Sequence, residues 1–181
     1  ILLARHSQAL VNVGDLAFGN QDSPLTERGI MQSGEQRLEF IEKYDITPEK
    51  YPLPVLASKY RRPQQSAEVA GFRIIHTSAE INEADVYDEV RRGTDVIEKH
   101  RTEHWAPEED LERAKRFIEK VSSGELSYEI FYTHGMFIGA VLLECEVAGV
   151  DMTNNQFDDN PVGGRGYIPL QASITKLVLP G

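Results

Sequence analysis

Two arginines, two histidines and one carboxylate make up the set in this chain whose types and spacing could do chemistry together: Arg5, His6, Arg62, Glu83 and His134. Each stands just after a short apolar run: Arg5 and His6 end "ILLA", Arg62 follows "PVLAS", Glu83 follows "FRIIHT" and His134 closes "EIFYT". Planar guanidinium groups match phosphate oxygens bidentately, and an imidazole serves as a nucleophile or proton carrier near neutral pH. Arg62 also sits beside Pro63 at a helix start, where unpaired backbone N–H groups and the helix dipole favour an anion. Together these residues describe a phosphate pocket with two imidazoles inside it. Singly, each is ordinary: a lone His after a strand is mostly a surface or hydrogen-bonded core residue, and a lone Arg there a solvated charge. Their succession after four strand candidates carries the argument.

The elements that must position them alternate along the chain. "ILLA" reads as a short buried strand, and "LTERGIMQSGEQRLEFIEKY" places Leu25, Met31, Leu38 and Ile41 at roughly helical spacing with Thr26 as N-cap. "PVLAS" is a second strand ending at Ser58, "RRPQQSAEVAG" a helix starting at Pro63 and stopping at Gly71, and "FRIIHT" a third strand. Residues 84 to 123 are charged and helix-prone, with "PEEDLERAKRFIEKV" the clearest amphipathic piece. "EIFYTHG" gives a fourth strand, "MFIGAVLLECEVAGV" an apolar helix and "QASITKLVL" a final strand, while "NNQFDDNPVGGRG" reads as a loop. The alternation predicts an α/β fold with a mainly parallel sheet, in which ligands bind at the carboxyl ends of the strands.

Composition narrows the partners. A chain of 181 residues fits one domain, and its formal net charge of -10 repels nucleic acid and anionic membranes, so any basic site is local. No apolar run is long enough to span a bilayer. The single Cys145 permits no internal disulfide, which fits a reducing compartment, and a cytoplasmic location is expected. The chain opens with Ile1 and not Met, which leaves an upstream targeting segment open.

Several stretches together resemble the signatures of the histidine phosphatase superfamily, in its phosphoglycerate-mutase-like branch. "LLARHSQALVN" is similar to L-x-R-H-G-x-x-x-x-N through Arg5, His6 and Asn12, and "DSPLTERGIMQ" to D-x-x-L-T-x-x-G-x-x-Q. "SKYRRPQQSA" resembles S-x-L-x-R-A-x-Q-T-A through Ser58, Arg62, Gln65 and Ala67, "INE" the L-x-E that carries the family's acid, and "YTHG" its second His-Gly pair. "PLQASITKL" resembles the closing strand, so the likeness covers nearly the whole chain in order. It implies a three-layer sandwich around a mainly parallel sheet, one domain over residues 1–181, and residues 84–123 as a helical lid insertion.

The resemblance further implies that His6 attacks phosphorus to give a phosphohistidine, that Glu83 protonates the departing oxygen, and that His134 completes the catalytic set. Arg5, Asn12, Arg62 and Gly135 would bind phosphate, with neither metal nor cofactor. His6 must then be unprotonated on its attacking nitrogen, so its other nitrogen should donate to a backbone carbonyl. Asp85, Asp88 and Glu89 compete with Glu83 for the acid's place. Ser7 replaces the family's Gly, where a side chain is expected to tighten the phosphate site; Pro63 replaces Ala, and Phe18 stands where many members have Thr. Phosphoglycerate mutases follow their acid with E-R-H-Y-G and carry a long insertion; here Glu83 heads "EADVY" and only about 50 residues separate it from His134. The expected activity is therefore hydrolysis of a small phosphomonoester or a phosphorylated protein side chain, with mutase activity as the alternative. Arg91, Arg92, Lys99 and Arg101 would meet a second anionic group of the substrate or form a solvated helical face, and a homodimer stays open.

Two other classes compete. "HRTEH", His100 to His104, fits the H-x-x-E-H pattern of inverted zinc peptidases, although a helix rich in Glu, Lys and Arg also produces such a pentapeptide by chance. A non-catalytic phosphate- or protein-binding domain is the other, disfavoured because an acid in the site would only repel a bound anion. Cys145, in an apolar helix, reads as a small buried hydrophobe.

Overall fold

The computed structural model describes residues 1–85, 93, 95–150 and 169–179; the polar stretch 154–166, Asp88, Glu89, Arg91 and Arg92 lie outside the described residues. Strands β1 (Leu2–Arg5), β2 (Val55–Ser58), β3 (Ile75–Ser78), β4 (Ile130–Thr133) and β5 (Ile174–Lys176) form one sheet in the order β3-β2-β4-β1-β5. β1 runs parallel to β4 with Leu2 opposite Ile130 and Arg5 opposite Thr133, and β2 runs parallel to both β4 and β3. Among the described strands only β5 is antiparallel, on the far side of β1. The sheet is thus mainly parallel, as expected, and the carboxyl ends of β1, β4 and β2 emerge side by side. That adjacency puts residues distant in sequence within reach of one ligand.

Side chains along each strand alternate between two faces, and both are covered. Leu2, Ala4, Val55, Ala57, Ile130 and Tyr132 pack against Phe40 of α1 (Glu27–Tyr44) and Ala67 and Ala70 of α2 (Arg61–Ala70). Leu3, Leu56 and Phe131 pack on the opposite face, under α4 (Glu108–Ser122) and α5 (Gly135–Val147). α5 is buried all along Gly135–Leu143, packed beside α4. Phe117 of α4 is fully buried, edge-on to Phe131 at 5.0 Å and to Phe137 at 5.6 Å. Such edge-to-face pairs add about 0.5–1.5 kcal/mol each beyond the area they bury. Helix α3 (Val96–Glu103) touches this core through Val96. The result is the three-layer α/β sandwich.

Two details depart from the sequence reading. Helix α1 has its expected Thr26 cap, whose side chain accepts from Gly29 N–H, but its buried face is Gly29, Ser33, Gln36 and Phe40. Met31 is 69% exposed and Leu38 50%, off that face. The reason is that α1 serves backbone as well as core: Gln36 Nε2 donates to the carbonyls of Arg5 (3.2 Å) and Ala172 (3.0 Å). A Cβ at Gly29 would stand 2.0 Å from the Gln8 carbonyl oxygen, so only glycine lets α1 lie against the loop after β1. Helix α2 begins at Arg61 and not at Pro63, with Tyr60 as its cap residue. Pro63 is then the third helical residue, where its missing N–H is still among the four that find no partner within a helix. The stop at Gly71, with φ 109°, is where the sequence placed it.

Candidate active site

β1 ends by delivering Arg5 and His6 to the sheet edge, where His6 N–H continues the ladder onto the Thr133 carbonyl (3.0 Å). The His6 ring is 2% exposed, and its Nδ1 lies 2.7 Å from the Ser7 carbonyl oxygen. A carbonyl only accepts, so Nδ1 carries the proton and Nε2 holds the lone pair. Arg62, from the first turn of α2, donates to that lone pair through Nε at 3.1 Å. Its Nη1 donates to the Asn20 carbonyl at 2.6 Å and its Nη2 stands 3.6 Å from Glu83 Oε2. Burial first, then the charges of Arg62 and Arg5, hold the His6 pKa well below its ordinary 6.5. The His6 ring is thus neutral without any further device.

His134 caps α5 and is fully buried, 5.1 Å centroid to centroid from His6 at 71°. Its Nε2 lies 2.9 Å from Ser58 Oγ, and Ser58 Oγ donates to Asn82 Oδ1 at 2.8 Å. Lys59 N–H also donates to that Asn82 oxygen, at 2.9 Å. The Ser58 hydroxyl has thus spent its proton on Asn82 and must accept from His134, which places the His134 proton on Nε2 and turns a bare Nδ1 toward Glu83 Oε2, 3.5 Å away. Burial, followed by the charges of Arg62, His6 and Arg5, pushes the His134 pKa well below 6.5 too, so the 3.5 Å approach is not an ion pair near neutral pH. Tyr60 closes this side: its ring lies 5.0 Å from that of His134, and the Arg62 guanidinium sits 5.1 Å over it.

Glu83 reaches the cluster from the turn after β3. Its Oε1 accepts from Met136 N–H at the start of α5 (2.9 Å), and Oε2 faces both Arg62 and His134. Of its competitors, Asp85 is exposed, and Asp88 and Glu89 lie outside the described residues. Arg5 donates through Nη1 to the Pro169 carbonyl, while its buried Nε has no partner among the described residues. A Cβ on Gly135 would stand 2.8 Å from Arg5 Cζ and Nε, so the missing side chain there is the space the guanidinium occupies.

Arg5, His6, Arg62, Glu83, His134 and Gly135 therefore converge, and Asn12 does not join their hydrogen bonds. Asn12 is exposed, and its Oδ1 accepts from Ala9 N–H at 2.9 Å, shaping the turn after the loop. Ser7 does not tighten the phosphate site: it is fully buried, its Oγ 2.7 Å from Ser33 Oγ of α1, and its N–H donates to Ser66 Oγ at 2.9 Å. The hydroxyl points into the α1 packing, behind His6. The sequence reading missed Tyr60, Asn82 and the use made of Ser58. A polar residue at a strand's last position and an Asn beside Glu83 were the available signals.

The zinc pattern does not assemble. His104 lies beyond the end of α3 with a left-handed φ of 51°, so it does not share a helical face with His100, whose Nδ1 is 2.6 Å from the Trp105 carbonyl oxygen. Among the described residues no cluster of three or more His, Cys, Asp or Glu could hold a metal, and no helix is long and apolar enough to cross a membrane. Cys145 is buried, and burial pushes its thiol up to about 11.

The strand ends of this α/β sandwich thus gather two buried neutral imidazoles, two guanidiniums and a carboxylate. The family model of the histidine phosphatase superfamily (branch 1) matches residues 1–159, and the chain belongs to that superfamily. A search of curated protein sequences found no match. Among solved structures, the mycobacterial glucosyl-3-phosphoglycerate phosphatase complexed with VO3 is similar at 18% identity, with 96% of this chain and 88% of that one covered and a TM-score of 0.57. The Entamoeba histolytica phosphoserine phosphatase complexed with 3-phosphoglyceric acid is similar at 18% identity, 83% and 81% coverage and a TM-score of 0.55. A Thermus thermophilus protein is similar at 22% identity, 78% and 81% coverage and a TM-score of 0.51. At these identities the likeness speaks for the fold.

Proposed function

We propose that this chain is a phosphomonoester hydrolase that works through a phosphohistidine on His6. The observation that carries the reading is the His6 ring: Nδ1–H is committed to the Ser7 carbonyl, and the lone pair on Nε2 lies beside Arg62. In the first step a phosphoryl oxygen takes over the Arg62 N–H, the Nε2 lone pair bonds to phosphorus and the bond from phosphorus to the ester oxygen breaks. Glu83, protonated at that stage, gives its proton to the departing alkoxide. In the second step water attacks phosphorus, Glu83 takes the proton back, and the N–P electron pair returns to His6. Covalent catalysis thus divides one hard displacement into two with one carboxyl serving as acid, then base. Arg5 and Arg62 stabilise the charge on the transferring group, and the unpartnered Nε of Arg5 is a donor ready for it. His134 joins them once its Nδ1 takes up a proton with the incoming phosphate. Asn12 holds the loop and makes no contact to phosphorus in this reading.

The substrate is a small phosphomonoester, in line with the phosphorylated compounds named for the mycobacterial and Entamoeba proteins. In this reading the 84–123 segment selects it, and α4 within that segment packs into the sandwich through Ala114 and Phe117. Turnover of p-nitrophenyl phosphate with EDTA present, compared between wild type and His6→Ala, tests the reading. His6→Ala is expected to lose ~10⁴-fold in rate, about 5.5 kcal/mol of barrier, and the wild type to show an acid-labile phosphoryl adduct on quenching. Near-wild-type turnover by His6→Ala would sink the mechanism. Wild-type activity abolished by EDTA would replace it with metal chemistry.

A further inference from the structure

Outside the site's own residues, α4 carries a buried ion pair that packing does not require. Asp110 is fully buried and Arg113, one turn later, is 9% exposed, with Nη1 2.8 Å from Asp110 Oδ1. Burying two charges has a desolvation cost that a pair of apolar side chains would avoid. The pair's other bonds account for it. Asp110 Oδ1 accepts from Ala84 N–H at 2.8 Å, and Arg113 Nη1 donates to the Asn82 carbonyl at 2.9 Å. Ala84 and Asn82 are the two neighbours of Glu83, so one i,i+3 pair grips the chain on both sides of that residue. The Glu83 carbonyl itself accepts from Tyr60 OH at 3.0 Å.

We propose that Asp110 and Arg113 are positioning residues that hold the Glu83 carboxyl against Met136 N–H, Arg62 and His134, in the place from which it protonates the leaving oxygen. The proposal rests on the reading of Glu83 as the general acid. The state of Asp110 supports it. Its second oxygen, Oδ2, is buried with no partner among the described residues, and burial, reinforced by the Glu83 charge, pushes Asp110 up to about 7 despite Arg113. A carboxyl that is partly protonated near neutral pH can grip the Glu83 segment without setting a second full negative charge beside it.

The test compares kcat/KM on two aryl phosphates: p-nitrophenyl phosphate, whose stable phenolate departs without a proton, and phenyl phosphate, whose more basic phenolate gains from one. The ratio of phenyl to p-nitrophenyl turnover separates a fault in proton delivery from a general loss of structure, which lowers both alike. Glu83→Gln is expected to lower the ratio ~10²-fold, and Asp110→Ala ~10-fold in the same direction. Asp110→Asn, which keeps an acceptor oxygen for Ala84 N–H, should return the ratio close to wild type. An unchanged ratio in Asp110→Ala while Glu83→Gln shifts overturns the clamp and leaves the acid in place. An unchanged ratio in Glu83→Gln overturns the acid reading, and the clamp with it. If Asp110→Ala does not fold, Arg113→Gln carries the same comparison, with the same shift expected and an unchanged ratio again overturning the proposal.

Discussion

Replacing Gly135 by Ala should separate catalysis from stability at a single methyl group. Gly135 opens α5 and is not among the glycines with positive φ, so its backbone accepts an alanine without strain. Alanine in place of glycine stabilises a helix interior by roughly 0.5–1 kcal/mol, so at this first helical position Tm should hold or rise slightly. The new Cβ, however, would lie 2.8 Å from Arg5 Cζ and Nε, where ordinary contact begins at 3.4 Å; the shortfall, 3.4 − 2.8, is 0.6 Å. Arg5 must give way, because the α5 backbone is fixed by the core behind it. A misplacement of 1 Å in a catalytic group costs as much as ~10²-fold, so a shift of this size should lower kcat/KM by between ~10- and ~10²-fold. The assay is p-nitrophenyl phosphate turnover with phosphate inhibition and thermal unfolding measured on the same samples. A double-mutant cycle completes it: with Arg5→Ala already present, Gly135→Ala should cost nothing more, since its effect passes through Arg5. Wild-type kcat/KM in Gly135→Ala, or an equal further loss on the Arg5→Ala background, would refute the reasoning, and a Tm falling in step with activity would assign the loss to folding.

Two further outcomes concern the histidines. Ser58→Ala removes the acceptor of the His134 Nε2–H and leaves that donor buried, so it should cost about 1–3 kcal/mol in unfolding free energy and lower kcat about tenfold through a misturned ring; an imidazole ¹⁵N spectrum showing His134 in an unchanged tautomer would contradict it. The pH dependence of stability has opposing parts. His6 and His134 have folded pKa values well below 6.5, so below pH 6.5 the unfolded chain binds more protons and stability falls with pH, by at most about 1.4 kcal/mol per unit for each ring. Asp110, raised from 3.8 to about 7, works the other way: between those values the folded state binds more protons, so stability rises as pH falls. Urea unfolding between about pH 4.5 and 6.5 should therefore show a steeper acid loss in Asp110→Asn than in wild type, and equal slopes would count against a raised Asp110.

The sandwich and the convergence of Arg5, His6, Arg62, Glu83 and His134 were legible in the sequence because both arise from period. Short apolar runs alternating with amphipathic ones give a parallel sheet, and a parallel sheet gathers the residues just past each strand at one edge. Legibility ended where a side chain's task is set by backbone that packing brings beside it. Ser33 and Gln36 look like solvent-side residues of α1 by composition, yet they are buried, on Ser7 and on the Arg5 and Ala172 carbonyls, while Met31 and Leu38 face water. No hydrophobic period can report a face whose work is hydrogen bonding.

Ser7 shows what that hidden layer does for the chemistry. Its carbonyl fixes the His6 tautomer, its N–H is anchored to Ser66 of α2, and its hydroxyl to Ser33 of α1. The residue after His6 is thus tied to both helices on one face of the sheet. Ser66 in turn donates to the Arg62 carbonyl at 2.8 Å, so the turn that presents Arg62 and the loop that presents His6 share one buried hydroxyl. Their relative position, 3.1 Å from Nε to Nε2, is a property of three small serines that the motif pattern treats as substitutions or as filler. On the opposite face, Asp110 and Arg113 hold Glu83 in the same manner. In the proposed mechanism, nucleophile and acid are thus set by buried polar contacts from the two helical layers.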